Sequence, residues 1–332
     1  MSAAEGLTAR QLAGERLIVG FIGTEVPAQV RRMIREGRLA GVILFAANLP
    51  SRSQGRRLIA SLQRIPRPTQ PRDPLLVMVD QEGGLVKRLS GAPTASAEEM
   101  GRRGAAFSRE QGALTARNLA DVGFNVNLAP VLDVGRQGGV IEETDRSFGA
   151  TAARVEATAV PFAAALQARG VAATAKHFPG LGAARENTDL AVQRIRLDRR
   201  TLRRIDEAPY RRFLDAGGDL VMVSSAIYPA LSRKPASLSR PVATRELRTR
   251  LGFSGVSITD ALGGAAIRAA GGPARTGLAA AKAGTDLLLF SDHRDGARAY
   301  RALLRKLRSG DIDRGRFERS AQRVLELRHR LR

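Results

Sequence analysis

The chain has no cysteine, no tryptophan, three histidines and three tyrosines, and its aromatic fraction is 4% over 332 residues. Without cysteine there are no disulfides, no thiolate metal sites, no cysteine nucleophile and no lipidated N-terminal cysteine. With so few aromatic rings the core must be aliphatic, and a hydrophobic content of 43% is ample for one. No apolar run approaches the roughly 18 residues that a membrane span needs. The opening Met1-Ser2-Ala3-Ala4-Glu5-Gly6 lacks a cationic stretch followed by an apolar block. The expectation is a soluble cytoplasmic protein with no membrane partner.

Acidic residues are scarce relative to basic ones: 32 Asp and Glu stand against 54 Lys and Arg, for a net charge of +22. Only five of the basic residues are Lys (87, 176, 234, 282 and 306), and the remainder are Arg. Pairs such as Arg31-Arg32, Arg199-Arg200, Arg203-Arg204 and Arg211-Arg212 fall in expected helices. No nucleic-acid-binding motif or interleaved aromatics accompany them. Solvated helix faces are the favoured reading, nucleic acid is not an expected partner, and a polyanion-binding protein is the outside alternative.

Short Val/Ile/Leu-rich runs alternate with longer amphipathic segments. Residues 17–22, 41–45, 75–79, 126–129, 172–175, 220–224, 256–259 and 286–290 read as strands. Residues 27–36, 53–64, 109–122, 152–169, 198–216 and 243–251 read as helices, with Pro27 at a first helical position and Ser53 as an N-cap. Eight buried-type strands separated by helices predict an α/β fold, a single-domain (β/α)₈ TIM-like barrel over 1–332. A doubly wound sheet is the alternative. The proline-rich 65–74 leads straight into a strand and reads as a stiff loop within one domain.

In such a barrel, functional residues follow the strands on one face, and the polar motifs fall there. Residues 75–79 run into Asp80-Gln81-Glu82-Gly83-Gly84, with Lys87-Arg88 next. Residues 126–133 are followed by Asp145-Arg146-Ser147-Phe148-Gly149, the fifth strand ends in Lys176-His177, and the seventh ends in Asp260. Singly, each has an ordinary reading: a helix N-cap, a surface ion pair, a structural histidine. Together on one rim they read as a site. The dispersed His177, His293 and His329 do not suggest zinc. No Walker sequence occurs, and Gly180-Leu181-Gly182-Ala183-Ala184-Arg185 lacks the third glycine of a dinucleotide fingerprint. No metal and no cofactor are expected. Carboxylates among Arg, Lys and His donors suit a polyhydroxylated, small-carbohydrate ligand and an oxocarbenium-like centre.

Seven motifs, in order along nearly the whole chain, resemble the single-domain β-N-acetylglucosaminidases of glycoside hydrolase family 3. They are Gly-Val-Ile-Leu-Phe (41–45), Asp-Gln-Glu-Gly-Gly (80–84), Asn-Leu-Ala-Pro-Val-Leu-Asp-Val (127–134), Asp-Arg-Ser-Phe-Gly (145–149), Lys-His-Phe-Pro-Gly (176–180), Gly-Phe-Ser-Gly-Val-Ser-Ile-Thr-Asp (252–260) and Ala-Gly-Thr-Asp (283–286). The resemblance implies a TIM-like barrel and a retaining, two-step hydrolysis of terminal β-linked N-acetylglucosamine. It implies Asp260 as nucleophile, and Asp80, Arg88, Arg146, Lys176 and His177 as holders of the sugar hydroxyls. Cytoplasmic recycling of cell-wall fragments is the role it suggests.

The chain departs from that family where the proton is handled. The usual loop, Gly-His-Gly-Asp-Thr and then Asp-Ser-His, ends in an acid/base dyad. Here Gly180-Leu181-Gly182-Ala183-Ala184 is followed by Asn187-Thr188-Asp189. Asp189 takes the histidine position, Asn187 that of its orienting carboxylate, and Ala261 replaces an aspartate beside Asp260. Asp189 could serve as the acid if burial or a nearby carboxylate lifts its pKa from about 3.9 toward 6. Glu186 is the second candidate, and an inactive or weak sugar-binding homologue is the alternative function.

Overall fold

The computed structural model describes residues 4–68 and 73–331. Part of the expected stiff loop, residues 69–72, lies outside the described residues. The apolar runs form eight parallel strands: β1 (Leu17–Val19), β2 (Gly41–Ile43), β3 (Leu76–Val79), β4 (Val126–Asn127), β5 (Ala172–Phe178), β6 (Leu220–Val223), β7 (Val256–Thr259) and β8 (Leu288–Phe290). They pair in the order β8-β1-β2-β3-β4-β5-β6-β7. Ile258 of β7 then bridges Leu287, just ahead of β8, and Leu289 N donates to Thr259 Oγ1 at 3.0 Å. That contact nearly closes the ring. A doubly wound sheet would keep two open edges, so the barrel expectation stands and its alternative falls.

Strand parity sorts the core. Ile18, Ile43, Leu76, Met78, Val126, Leu128, Leu220, Met222, Val256, Ile258, Leu287 and Leu289 fill the barrel interior. Their neighbours Leu17, Val19, Val77, Val79, Val221, Val223, Leu288 and Phe290 pack outward, against helices. These are α1 (Ala28–Arg35), α2 (Arg52–Gln63), α3 (Ala105–Ala120), α4 (Ala152–Gln167), α5 (Ala208–Asp215), α6 (Pro241–Arg250), α7 (Pro273–Ala283), α8 (His293–Arg308) and α9 (Arg314–Arg330). Two helix starts differ from expectation. Ser51, not Ser53, caps α2 by accepting from Gln54 N at 3.2 Å. Pro27 is the extended residue before α1, which begins at Ala28.

Helix α9 stoppers the N-terminal end of the barrel. Its Val324 and Leu327 join the interior cluster. Its Arg328, 1% exposed, pairs with Glu15, 2% exposed, and donates from Nε to Pro74 O at 3.0 Å and from Nη2 to Asp73 O at 2.6 Å. One guanidinium thus ties the last helix to the approaches of β1 and β3. Replacing Arg328 by Met strands the Glu15 carboxylate in the core, which typically costs about 3–5 kcal/mol. Urea unfolding at neutral pH should show that loss, and a change within about 0.5 kcal/mol would contradict a structural role.

Candidate active site

The same parity that fills the interior builds the site. Inward positions on β3 are Leu76 and Met78, and the next is Asp80; on β7, Val256 and Ile258 lead to Asp260. On β5 the inward alternation from Ala172 reaches Lys176, where the register shifts and the Lys176–His177 peptide is cis. Asp80, Lys176, His177 and Asp260 all line one cavity of about 180 Å³ at the C-terminal end of the strands, room for one small ligand. Its floor is the top interior layer, Ile43, Leu128, Met222 and Leu289. Phe45, Val86, Val140, Ile141 and Leu181 add apolar wall.

Glu82 is the hub of the charged wall. It accepts Arg146 through two bonds of 2.8 Å, Nε to Oε2 and Nη2 to Oε1, while Lys176 Nζ lies 2.6 Å from Oε1. Lys176 also bonds Asp80 Oδ1 at 2.7 Å. Burial alone would raise the Glu82 pKa, but the Arg146 and Lys176 charges outweigh it and hold the carboxyl far below its ordinary value. Arg146 does not pair with Asp145, as an ordinary surface reading would have it. Asp145 instead takes a left-handed turn (φ 55°), a conformation Asp tolerates, and Arg146 follows it into the cavity.

Two further residues hold the ligand-facing groups in place. Gln81 Oε1 accepts Arg88 N and Leu89 N, each at 3.0 Å, and so folds the 81–89 hairpin over the cavity. The Arg88 Nε is buried without a partner, and its guanidinium forms no ion pair among the described residues, leaving it available to a ligand. Fully buried Asp133 accepts His177 N at 3.0 Å, His177 Nδ1 at 2.7 Å and Leu181 N at 2.6 Å. With Nδ1 engaged, Nε2 is the ring nitrogen free for a ligand. Glu82 and Asp133 were not singled out from sequence, although a lone acid inside the apolar run Val131-Leu132-Asp133-Val134 is a readable signal.

The loop after β5 meets the loop after β7. Ala265 N donates to Asp189 O at 3.0 Å and Ala266 N to Thr188 O at 3.3 Å. Thr188 Oγ1 donates to Asp260 Oδ2 at 3.3 Å, and Ala261 N donates to Oδ1 at 2.7 Å. Asp189 sits at the exposed lip of the cavity. Desolvation at the lip, then the facing Asp260 charge, push its carboxyl up to about 6, against the opposing pull of His177. Asn187 does not orient that carboxylate; its Oδ1 accepts Asp189 N at 2.9 Å and shapes the turn. Glu186 is not brought to the site. It is exposed, receives Gln193 Nε2 at 3.4 Å, and does not line the cavity.

With this geometry in hand, comparison with known proteins gives a consistent picture. Residues 11–327 match the Glycosyl hydrolase family 3 N terminal domain, and the chain belongs to that family. A protein of Arthroderma benhamiae described as an uncharacterized secreted glycosyl hydrolase is 37% identical, over 96% of this chain and 93% of its own length. A β-hexosaminidase of Xanthomonas oryzae pv. oryzae is 35% identical, with 82% of each chain covered. Among solved structures, a family 3 β-N-acetylglucosaminidase from Paenibacillus superposes with a TM-score of 0.91 at 35% identity. The match takes in 98% of this chain and 63% of that one, so the present chain spans about three fifths of that enzyme's length. A β-N-acetylhexosaminidase from Beutenbergia cavernae gives 0.86 at 30% identity, covering 97% and 99%.

The Glu82 hub has a pH signature. Its folded-state pKa lies below the ordinary 4.5, so the stability it confers is present above that value and is lost as pH falls through the carboxylate range. Glu82→Gln should destabilise by about 3 kcal/mol at neutral pH, because two buried cations lose their shared counter-charge. The gap from wild type, measured by urea unfolding at pH values from about 7 to 3, should narrow on acidification. A gap independent of pH would contradict the charge assignment.

Proposed function

We propose that this family 3 chain is a retaining β-glycosidase that removes a terminal β-linked N-acetylglucosamine, with Asp260 as nucleophile and Asp189 as acid/base. The single observation that carries the reading is that the Asp260 and Asp189 carboxyls face one sugar-sized cavity outside its network of ion pairs. Asp260 is held by Thr188 Oγ1 and Ala261 N, and Asp189 is lifted to about 6 partly by the Asp260 charge itself. The names of the Xanthomonas and Paenibacillus relatives support the choice of sugar.

In the first step an Asp260 oxygen bonds to the anomeric carbon as the glycosidic bond breaks, and Asp189 gives its proton to the departing oxygen. In the second, the Asp189 carboxylate takes a proton from water, which attacks the same carbon and releases Asp260. Asp80, Arg88, Arg146, Lys176 and the His177 ring hold the hydroxyls and place that carbon. Lys176 and Arg146, locked on Glu82, are fixed before the ligand arrives, so little ordering is left for the reaction itself. Among the described residues no helix is long and apolar enough to cross a membrane. The Arthroderma relative is described as secreted, so the proposed reaction is assigned to no compartment.

Asp260→Asn should abolish hydrolysis of an aryl N-acetyl-β-glucosaminide; activity equal to wild type would overturn the proposal. Asp189→Ala should lower turnover of an unactivated glycoside by about 10²–10⁴-fold while largely sparing formation of the glycosyl-enzyme from a good aryl leaving group. Equal losses in both would remove Asp189 from the role. A protein that binds N-acetylglucosamine and turns over neither substrate would be the sugar-binding homologue instead.

The pH profile follows in sign. The acid must carry its proton, so kcat/KM for an unactivated glycoside should fall as pH rises through about 6, and that limb should vanish in Asp189→Ala. Gly264 offers a gentler probe. A Cβ there would lie 2.7 Å from Asp189 Oδ1, so Gly264→Ala should displace the carboxylate and cut turnover of unactivated glycosides roughly 10- to 100-fold. Unchanged rates would show that the placement of Asp189 is not limiting.

A further inference from the structure

A second, larger cavity of about 510 Å³ lies on the side of the barrel away from the catalytic mouth. Arg16, which immediately precedes β1, forms part of it, together with residues of α6, the end of α7 and the start of α9. Seven of its lining residues are cations: Arg16, Arg240, Arg248, Lys282, Arg316, Arg319 and Arg323.

The carboxylates nearby are already engaged. Buried Asp286 serves both Arg248 and Arg323, the latter at 2.7 Å. Asp311 accepts Lys306 Nζ at 2.7 Å and Ser309 Oγ at 2.9 Å. Asp313 caps α9 by accepting Arg316 N at 2.7 Å. Arg16, 1% exposed, lies 4.3 Å over the Phe317 ring and, among the described residues, donates only to the carbonyls of Thr285 and Asp286. Burial, and then the neighbouring Arg323 and Arg248 charges, pull its pKa down to about 10 even against Asp286. The buried Arg248 Nε has no partner. Arg240, Arg316 and Arg319 form no side-chain hydrogen bond or ion pair among the described residues.

The second observation concerns α9 itself. A helix N-terminus carries positive partial charge and favours acids in its first turn. The first turn of α9 has none beyond the capping Asp313; Arg316 in that turn and Arg319 in the next are exposed and, among the described residues, unpaired beside a cavity already rich in cations. On a convex helix face water and salt screen arginines from one another; gathered into a concavity at the positive end of a helix, they are screened less and repel more strongly. The arginines that lack a counter-charge in this concavity, Arg240, Arg316 and Arg319, are suited to a compact anion.

We propose that this cavity is a binding site for a multiply charged oxyanion of the phosphate class, a phosphate or diphosphate group borne by a small molecule. Guanidinium groups recognise such oxygens through paired N–H donors, and the α9 N-terminus adds its field. The site is separate from the catalytic cavity and does not depend on the glycosidase reading.

The test uses the full chain and pyrophosphate, titrated calorimetrically at constant ionic strength. Wild type should bind at one saturable site and unfold at a higher temperature with pyrophosphate present. The double variant Arg316→Gln with Arg319→Gln should bind at least about tenfold more weakly, a loss of about 1.4 kcal/mol. Without pyrophosphate it should unfold at the same or a higher temperature, because repulsion is removed. Arg200→Gln with Arg204→Gln, the same charge change within an exposed arginine patch elsewhere, should leave the affinity unchanged. Absence of saturable binding would overturn the proposal, as would equal weakening by both double variants. Binding of duplex DNA that pyrophosphate fails to displace would replace it with an extended polyanion surface.

Discussion

A nearly closed parallel barrel has an interior with only two ends, and side-chain parity decides what reaches each. Two inward layers of aliphatic residues, such as Leu76 with Met78 and Val256 with Ile258, seal the middle. Helix α9 stoppers the N-terminal end with Val324 and Leu327. The third inward layer, Asp80, Lys176 and Asp260, is therefore the first that can meet water. Everything chemical in the protein depends on that constraint. The charges stand at the C-terminal mouth because two turns of strand parity beneath them are apolar, and their apolar floor is the same layer that holds the barrel closed.

Charges gathered at a half-buried mouth must be satisfied by one another, and not all of them are satisfied in the same way. Glu82, Lys176, Arg146 and Asp80 form a closed ionic set whose members are all paired. Asp133 fixes His177 in the same manner. Asp260 and Asp189 are different: Asp260 is held only by a hydroxyl and a backbone amide, and Asp189 has no cation hydrogen-bonded to its carboxylate among the described residues. These two carboxylates, left outside the ionic set, are the ones to which the proposed reaction assigns the proton and the bond to carbon. The loop that carries Asp189 is zipped to the loop after β7 by backbone bonds, and the absent side chain of Gly264 makes room for its carboxylate.

Much of this was legible in the sequence because it rests on local patterns. Short β-branched and aliphatic runs ending in Asp80, Lys176-His177 and Asp260 state both the barrel and its working face, and those four residues line one cavity. The roles of Glu82 and Asp133 were not legible, since each acts through partners 44 to 94 residues away, namely His177 for Asp133 and Arg146 and Lys176 for Glu82. Asp189 and Glu186 are equivalent as acids three residues apart; only the fold of the loop turns one to the cavity and the other to Gln193. The arginine-rich cavity was also hidden, because Arg16, α6, α7 and α9 are scattered along the chain and a high arginine content looks like solvated surface until a concavity gathers it.

The central claim, that Asp260 bonds to the sugar while Asp189 governs the proton, is tested most directly by the intact mass of the Asp189→Ala protein after reaction with a dinitrophenyl N-acetyl-β-glucosaminide. The leaving group needs no acid, and water then lacks its base, so the account predicts accumulation of a covalent adduct of one sugar residue on the peptide containing Asp260. Release of dinitrophenol without any adduct, or an adduct mapped to another carboxylate, would contradict it.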